Sequence, residues 1–176
     1  MQLAVRPLDR AADRAGVEAI DTAFETASIF DVVTTDRSIE LVERRLDVPR
    51  TKRYSVDEVF AHWAQWDDGW VAEADGAIRG FACVEHEAWH ARLVLWFLYV
   101  APAWRRRGVG RALLAEVERH AEARGATHVW LETSNVNVPG VAAYERLGYR
   151  LCGADRLYYG RYMPGEIAIY LAKMLA

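Results

Sequence analysis

Apolar positions recur along this chain at two periods, and the change from one to the other marks its organisation. Leu3, Val5 and Pro7 alternate with polar residues and predict a short first strand, with Pro7 at a strand end or sheet edge. The spacing of Ala15, Ile20 and Phe24 predicts a helix over Ala11 to Phe24. Thr26 to Thr35 has no clear period and reads as a loop whose Ile29 and Phe30 need somewhere to pack. Asp36 can cap a helix running to about Leu46, because Ile39, Val42 and Leu46 would share one face, and Pro49 ends it. Arg50 to Arg53 is then a basic turn. Ser55 with Glu58 three residues on forms a capping box for another short helix carrying Val59, Phe60 and Trp63.

From Trp70 the period shortens to two. WVAEA and AIRGFACVEHEAW flank Asp75-Gly76, a dipeptide suited to a tight two-residue turn, and read as a hairpin. Arg92 to Val100 is almost wholly apolar and reads as a central strand stopped by Pro102. The helical period returns over Val109 to Arg124, with Leu113, Leu114, Val117 and Ala121 inside and Gly125 as the stop signal. THVWLET is the next strand, Asn135 to Gly140 a loop, and Val141 to Leu147 a short helix closed by Gly148. Tyr149 to Cys152 begins another strand. Leu157 to Gly165 is aromatic and turn-rich, and Glu166 to Leu171 is the last strand. The succession is that of an α/β protein without internal repeats.

Size and charge narrow the function. The 176 residues suit one domain spanning 1–176, and a hydrophobic share of 52% suits a well-filled core. A net charge of -3 argues against nonspecific binding to a nucleic-acid backbone and fits a cationic partner better. The N-terminus lacks the apolar stretch of a signal peptide, and the longest apolar run, Leu93 to Ala103, is too short for a membrane-spanning helix. The expectation is a cytoplasmic protein with no membrane partner, in which Cys83 and Cys152 are free core cysteines. All but two of the 22 basic residues are arginine, a habit that GC-rich coding explains without reference to function. Seven tryptophans and eight tyrosines are many, and some should line a pocket or an interface.

The first piece of chemistry is the loop Arg105 to Gly110, between an apolar strand and a long helix. Glycine lets a ligand approach the backbone, and free N–H groups at a helix start attract phosphate oxygens. Arg105, Arg106, Arg107 and Arg111 add positive charge. The lysine and hydroxyl of a GxxxxGK[ST] loop are absent, as are the spacing and distal acid of a dinucleotide fingerprint.

Arg105-Arg106-Arg107-Gly108-Val109-Gly110 resembles the R/Q-x-x-G-x-G/A pyrophosphate loop of the GNAT N-acetyltransferases. The LET strand, the NVNVP loop and the AAYERLGY segment follow the same family, so that the resemblance covers roughly Val71 to Cys152. It implies the acyl-CoA N-acyltransferase fold, a mixed central sheet flanked by helices, with acetyl-CoA as cofactor. The loop would hold the pyrophosphate through the N–H groups of Arg107, Gly108, Val109 and Gly110. The bulged strand around Phe97 to Val100 would pair with the pantetheine arm through Leu98, Tyr99 and Val100. A splay between that strand and the one ending LETSN would admit the thioester. LETSNVNVPGVAAYERLGYRLCGAD, EIAIY and the upstream IFDVVTTDRSIELVERRLDVPRTKRY resemble, more narrowly, the streptothricin acetyltransferases, which acetylate an amine on the β-lysine part of that antibiotic. Lysine or N-terminal acetylation of a peptide is the other reading, and a non-catalytic CoA-binding module is a third. A homodimer is common in the family.

Acetyl transfer to an amine needs a proton acceptor, a proton donor for the departing thiolate and a cradle for the acceptor. Tyr144 sits where the family places its general acid; Tyr149 reads as core. The family's usual glutamate, in the strand before the loop, is matched here by Trp96, which then walls the cleft or fills the core. Glu132, on the neighbouring strand, is the nearest alternative base, though it could instead bind substrate or cap a backbone; Asp31 or Asp36 could approach from the substrate side, and a water relay is the remaining rival. Asn137 would contact the cofactor arm, while Asn135 could do so or cap the following helix. Asp31, Asp36 and Glu166 are expected to attract a small cationic amine. Tyr158, Tyr159 and Tyr162 would form a substrate wall or a dimer surface. His86 and His90 lack a third ligand, so no metal is expected.

Overall fold

A computed structural model describes residues 3–175 of the chain, which divide into two compact units. The first comprises residues 3–24, 53–129 and 175. Its strands are β1 (Ala4–Pro7), β4 (Asp68–Ala74), β5 (Ala77–Glu87) and β6 (Arg92–Val100), neighbours in that order and all antiparallel. The β4–β5 turn has positive φ at both Asp75 and Gly76, the conformation the Asp-Gly pair was expected to supply. Helix α2 (Val109–Ala123) lays Leu113, Leu114, Val117 and Ala121 against β5 and β6. It can lie close because Gly80 has no Cβ, which would meet the Tyr99 carbonyl at 2.8 Å and Val109 at 3.1 Å. Val17, Val59, Trp66, Val71, Phe81 and Phe97 fill the core beside it.

The second unit, residues 25–52 and 130–174, holds β2 (Phe24–Thr34), β3 (Ile39–Lys52), most of β7 (His128–Ser134), α3 (Val138–Arg146), β8 (Arg150–Asp155) and β9 (Ala168–Met174). Strand β9 lies between β7 and β8. Hydrogen bonds from Asn135 N–H to Ile167 and from Leu175 N–H to Thr127 mark opposite ends of the β7–β9 pairing, so the two strands run antiparallel. Counting inward from either end brings Tyr170 opposite Glu132.

Three expectations fail. The first helix is only α1 (Arg14–Glu18), because Phe24 already belongs to β2. Residues read as a loop and a helix are the β2–β3 hairpin, closed at Thr35 and Ser38. Ile39, Val42 and Leu46 share a helical spacing, but Ile39 and Val42 are exposed in an almost wholly exposed strand. The segment is rich in β-branched residues, and tertiary hydrogen bonds decide the outcome. Pro49 is tolerated there because β3 pairs with β2 alone. Cys152 is not in the core: Leu151 and Gly153 pair with consecutive β9 residues, so Cys152 is the extra residue of a bulge, and it is exposed. Cys83 is buried, which pushes its thiol pKa up. Among the described residues no helix is long and apolar enough to cross a membrane.

Asn135 is buried, with its amide hydrogen-bonded at both ends. Asn135→Ala would leave the Ile167 N–H without its acceptor and the Phe30 carbonyl without a donor. Unfolding free energy is expected to fall by about 3 kcal/mol, measured as a lower urea midpoint at unchanged m-value.

Candidate active site

In the first unit the glycine loop has the geometry of an anion cradle. Gly108 has φ +88 and precedes α2. A Cβ added to it would meet nothing within 4 Å, so the space above the loop is open on the protein's side. Arg106 also has positive φ (+58), an uncommon state for a side-chain-bearing residue, which turns the backbone sharply before the helix. Arg106, Arg107, Gly108 and Arg111 are exposed, and Val109 anchors the helix in the core. Arg105 behaves differently. Its guanidinium donates to the carbonyls of Val100 (3.0 Å) and Ala23 (2.7 Å). Burial lowers its pKa, and it acts as a strut that fixes the loop rather than as a free cation.

On β6, Leu95 pairs with Val84 and Phe97 with Cys83, so Trp96 is the extra residue of a β-bulge. Its indole N–H donates to Glu85 at 2.9 Å. A tryptophan therefore occupies the bulge, and the carboxylate nearest to it is held by that tryptophan. Beyond the bulge, Leu98, Tyr99 and Val100 are partly exposed, and the Tyr99 ring packs on Phe81 at 5.6 Å and Tyr54 at 6.1 Å.

In the second unit, the carboxyl group with the most perturbed acidity is Glu132 on β7. Burial pushes its pKa up to about 7; the Tyr159 hydroxyl, which donates to Oε1, pulls it back, and the negative charge of Glu166 adds to the rise. Oε2 makes no hydrogen bond among the described residues. Tyr144, on α3, packs edge-on to the core residue Tyr149 with ring centroids 5.6 Å apart. Burial, and then the charge of Glu132, push its phenol pKa up, so it keeps its proton throughout the neutral range.

The expected cation-binding acids are not brought together. Asp31 is bonded through both oxygens to Arg44 on the β2–β3 hairpin. Asp36 lies in the exposed turn of that hairpin. Glu166 accepts from Lys52 at 2.5 Å and from Ser134 at 2.6 Å, so its charge is already compensated. Of the two asparagines, it is Asn137 rather than Asn135 that caps the helix. Asn137 caps α3 through Oδ1, accepting from Gly140 N–H at 3.1 Å, and donates through Nδ2 to Thr133 at 2.9 Å. Gly140 must lack a side chain there, since a Cβ would lie 2.3 Å from the Asn137 amide. Asn135 instead joins Phe30 to Ile167. Tyr159 is buried, whereas Tyr158 and Tyr162 are exposed.

Residues that the sequence did not single out complete this unit: Lys52 and Ser134 on Glu166, and Trp130, Tyr170 and Asp155. The Trp130 and Tyr170 rings lie 5.0 Å apart, and Tyr170 meets Tyr158 edge-on at 6.1 Å. The signal for Trp130 was its spacing of two from Glu132 on a strand, which places both on one face.

These features are those of an acyl-CoA-dependent transferase. The profile of the acetyltransferase (GNAT) family matches residues 37–149, and the chain belongs to that family. It has the family's α/β fold, a mixed sheet flanked by helices, and is an acetyl-CoA-dependent N-acetyltransferase. The streptothricin acetyltransferase of Streptomyces lavendulae is 36% identical to it, over 93% of this chain and 90% of that enzyme. A crystal structure of nourseothricin acetyltransferase superposes with a TM-score of 0.89, at 35% identity and with both chains fully covered. The fold is also that of a putative streptothricin acetyltransferase from Bacillus anthracis crystallised with acetyl coenzyme A (TM-score 0.85, 24% identity, both chains fully covered).

Gly108→Leu places a side chain in the open space above the loop, where no protein atom is displaced. The acetyl-CoA dissociation constant is expected to rise more than about tenfold, while stability falls by only about 1–2 kcal/mol from the forced positive φ. Calorimetric titration together with urea unfolding separates the two effects.

Proposed function

We propose that this chain acetylates a primary amine on the β-lysine part of streptothricin, in the cytoplasm, and so confers resistance to the antibiotic. The observation that carries this reading is the carboxyl of Glu132, raised to about 7 beside Tyr159, in a chain whose likeness to a streptothricin acetyltransferase runs over 93% of its length.

The residues fit acetyl-CoA. The open space at Gly108, the N–H groups of residues 108–110 at the start of the 15-residue α2, and the exposed Arg106, Arg107 and Arg111 suit a diphosphate. The partly exposed Leu98, Tyr99 and Val100 at the end of β6 suit an extended amide arm. When bound, acetyl-CoA supplies an acetyl group activated as a thioester.

The chain's own groups manage protons. A lysine-like ammonium has a pKa of about 10.4 and cannot attack until it loses its proton. Glu132 Oε2 takes that proton, while Tyr159 holds Oε1 and fixes the carboxyl's orientation. A pKa near 7 makes this carboxylate a far better base than an ordinary glutamate while leaving it largely ionised just above neutrality. Tyr144 Oη, protonated at neutral pH, would donate its proton to the departing sulfur, and the phenolate so formed would take the remaining extra proton from the new amide nitrogen. Trp96 takes no part in proton transfer, and Arg105 and Asn137 hold the backbone of their loops in place.

Two measurements test the reading. The first compares kcat/KM for streptothricin, free lysine, a lysine-containing peptide and a peptide with a free N-terminus. A clear preference for streptothricin is expected, and equal or faster turnover of either peptide overturns the acceptor assignment. The second is a pH profile. Log kcat/KM should rise with pH through an inflection near 7, as Glu132 loses its proton. Glu132→Gln should abolish that inflection and lower kcat by about 10²–10⁴-fold. Stability carries the opposite sign. A carboxyl raised from 4.5 to about 7 costs nothing below the lower value, and its burden grows until it is fully ionised above the upper one. Glu132→Gln should therefore gain stability relative to the parent as pH rises through that window.

A further inference from the structure

The pairing of β7, β9 and β8 builds one face whose chemistry the acetyl-transfer reading does not use up. Glu132 on β7 lies opposite Tyr170 on β9, which is paired with Gly153 on β8. One row along, Ser134 lies opposite Ala168, which is paired with Asp155. Positions two apart on a strand share a face, so Trp130, Glu132, Tyr170, Gly153 and Asp155 all belong to it. Gly153 leaves room for the ring: a Cβ there would meet Tyr170 Cδ2 at 3.1 Å.

Asp155 is among the acids of this unit that no basic side chain neutralises. Its Oδ1 accepts from Leu157 N–H at 2.7 Å. Its Oδ2 has no hydrogen bond and the carboxylate no ion pair among the described residues. Asp31 and Glu166, by contrast, are paired with Arg44 and Lys52. The neighbouring Arg156 donates to the Val32 carbonyl and makes no ion pair with Asp155. Burial raises the pKa of both Tyr158 and Tyr170, Tyr170 to about 12, and the Asp155 charge adds to the rise in each, ranking after that of Glu132 at Tyr158. A carboxylate diagonal to one phenol on the sheet and coupled to a second is an environment that a cation would stabilise.

We propose that Asp155, framed by the rings of Tyr158 and Tyr170, is the subsite for a second, non-reacting ammonium of the acceptor, so that the enzyme selects diamines over monoamines. The proposal rests on the reading of Glu132 as the group that deprotonates the reacting amine. Glu132 and Asp155 stand two strands and two residues apart, roughly 12 Å between Cα atoms by ordinary strand spacing. The two side chains reach part of that distance, and a short alkyl diamine spans the remainder. The partly open rim at Tyr158, 56% exposed, gives the distal ammonium a route in from solvent.

The test compares 1,5-diaminopentane with 1-aminopentane, acceptors that differ only in the distal amine, alongside streptothricin. The parent enzyme should favour the diamine by at least about tenfold in kcat/KM. Asp155→Asn retains an oxygen for the Leu157 N–H, so the turn is preserved. The diamine-to-monoamine ratio should fall about tenfold in this variant, through KM rather than kcat. Tyr158→Leu should shift the ratio in the same direction by a smaller factor. No diamine preference in the parent, an unchanged ratio in Asp155→Asn, or an equal loss with both amines would overturn the subsite. Turnover of diaminopentane without turnover of streptothricin would instead remove the antibiotic assignment and leave the subsite standing.

Discussion

The second unit is held together around one buried amide. Asn135 donates its N–H to Ile167 and accepts from the Phe30 N–H, and its side chain repeats both connections in the opposite sense. Three segments distant in sequence are joined by four hydrogen bonds from a single residue. The β2–β3 hairpin buries little of its own surface and a two-stranded ribbon is marginal alone. Its attachment therefore relies on such bonds: Asn135 at Phe30, Arg156 at Val32, and Lys52 on Glu166. The last of these couples the hairpin to the chemistry, because the charge of Glu166 helps raise the pKa of Glu132.

Charge pairing then defines the candidate site by subtraction. The unit contains many acids, but most of those near the end of β7 are already compensated. Lys52 and Ser134 take up Glu166, and Arg44 takes up Asp31. Glu132 and Asp155 are left without a basic partner among the described residues. Burying a carboxyl without a cation is costly, and proteins retain groups such as Glu132 where function repays the loss. On the proposed reading, the positions of Glu132 and Asp155 on one face would favour an amine.

Local signals carried much of the fold. The Asp-Gly turn, the apolar β6, the amphipathic α2 and the glycine loop all depend on neighbours in sequence, and each lies where its pattern placed it. The hairpin over residues 24–52 was hidden because its apolar residues satisfy a helical spacing, and what decides between the alternatives is a bond to Asn135, a hundred residues away. The asparagines show the same limit at the site. Asn-x-Asn before a helix identifies a cap, yet which of the two caps depends on Gly140 leaving space for Asn137 to fold back. Tyr144 could be chosen from the family's pattern, and Glu132 only as the nearest glutamate on the neighbouring strand. Asp155 and Tyr170 could not, because their approach to Glu132 depends on the register of β9 with two other strands and on a bulge at Cys152.

The bulge at Trp96 places no carboxylate at that point of β6, and the proposed mechanism therefore assigns proton removal to Glu132. A carboxylate at that position would sit on β6 beside the residues expected to meet the cofactor arm. Trp96 removes this option, and its indole also occupies Glu85, the acid across the β5–β6 pairing. A base must then come from a strand whose surroundings raise a glutamate toward neutrality. Glu132 meets that requirement through burial and the charge of Glu166, while Tyr159 prevents the shift from running so far that the carboxyl stays protonated at neutral pH. Burial, opposed by Tyr159 and reinforced by Glu166, thus sets the pH range in which Glu132 changes state, within the same unit that contains Asp155.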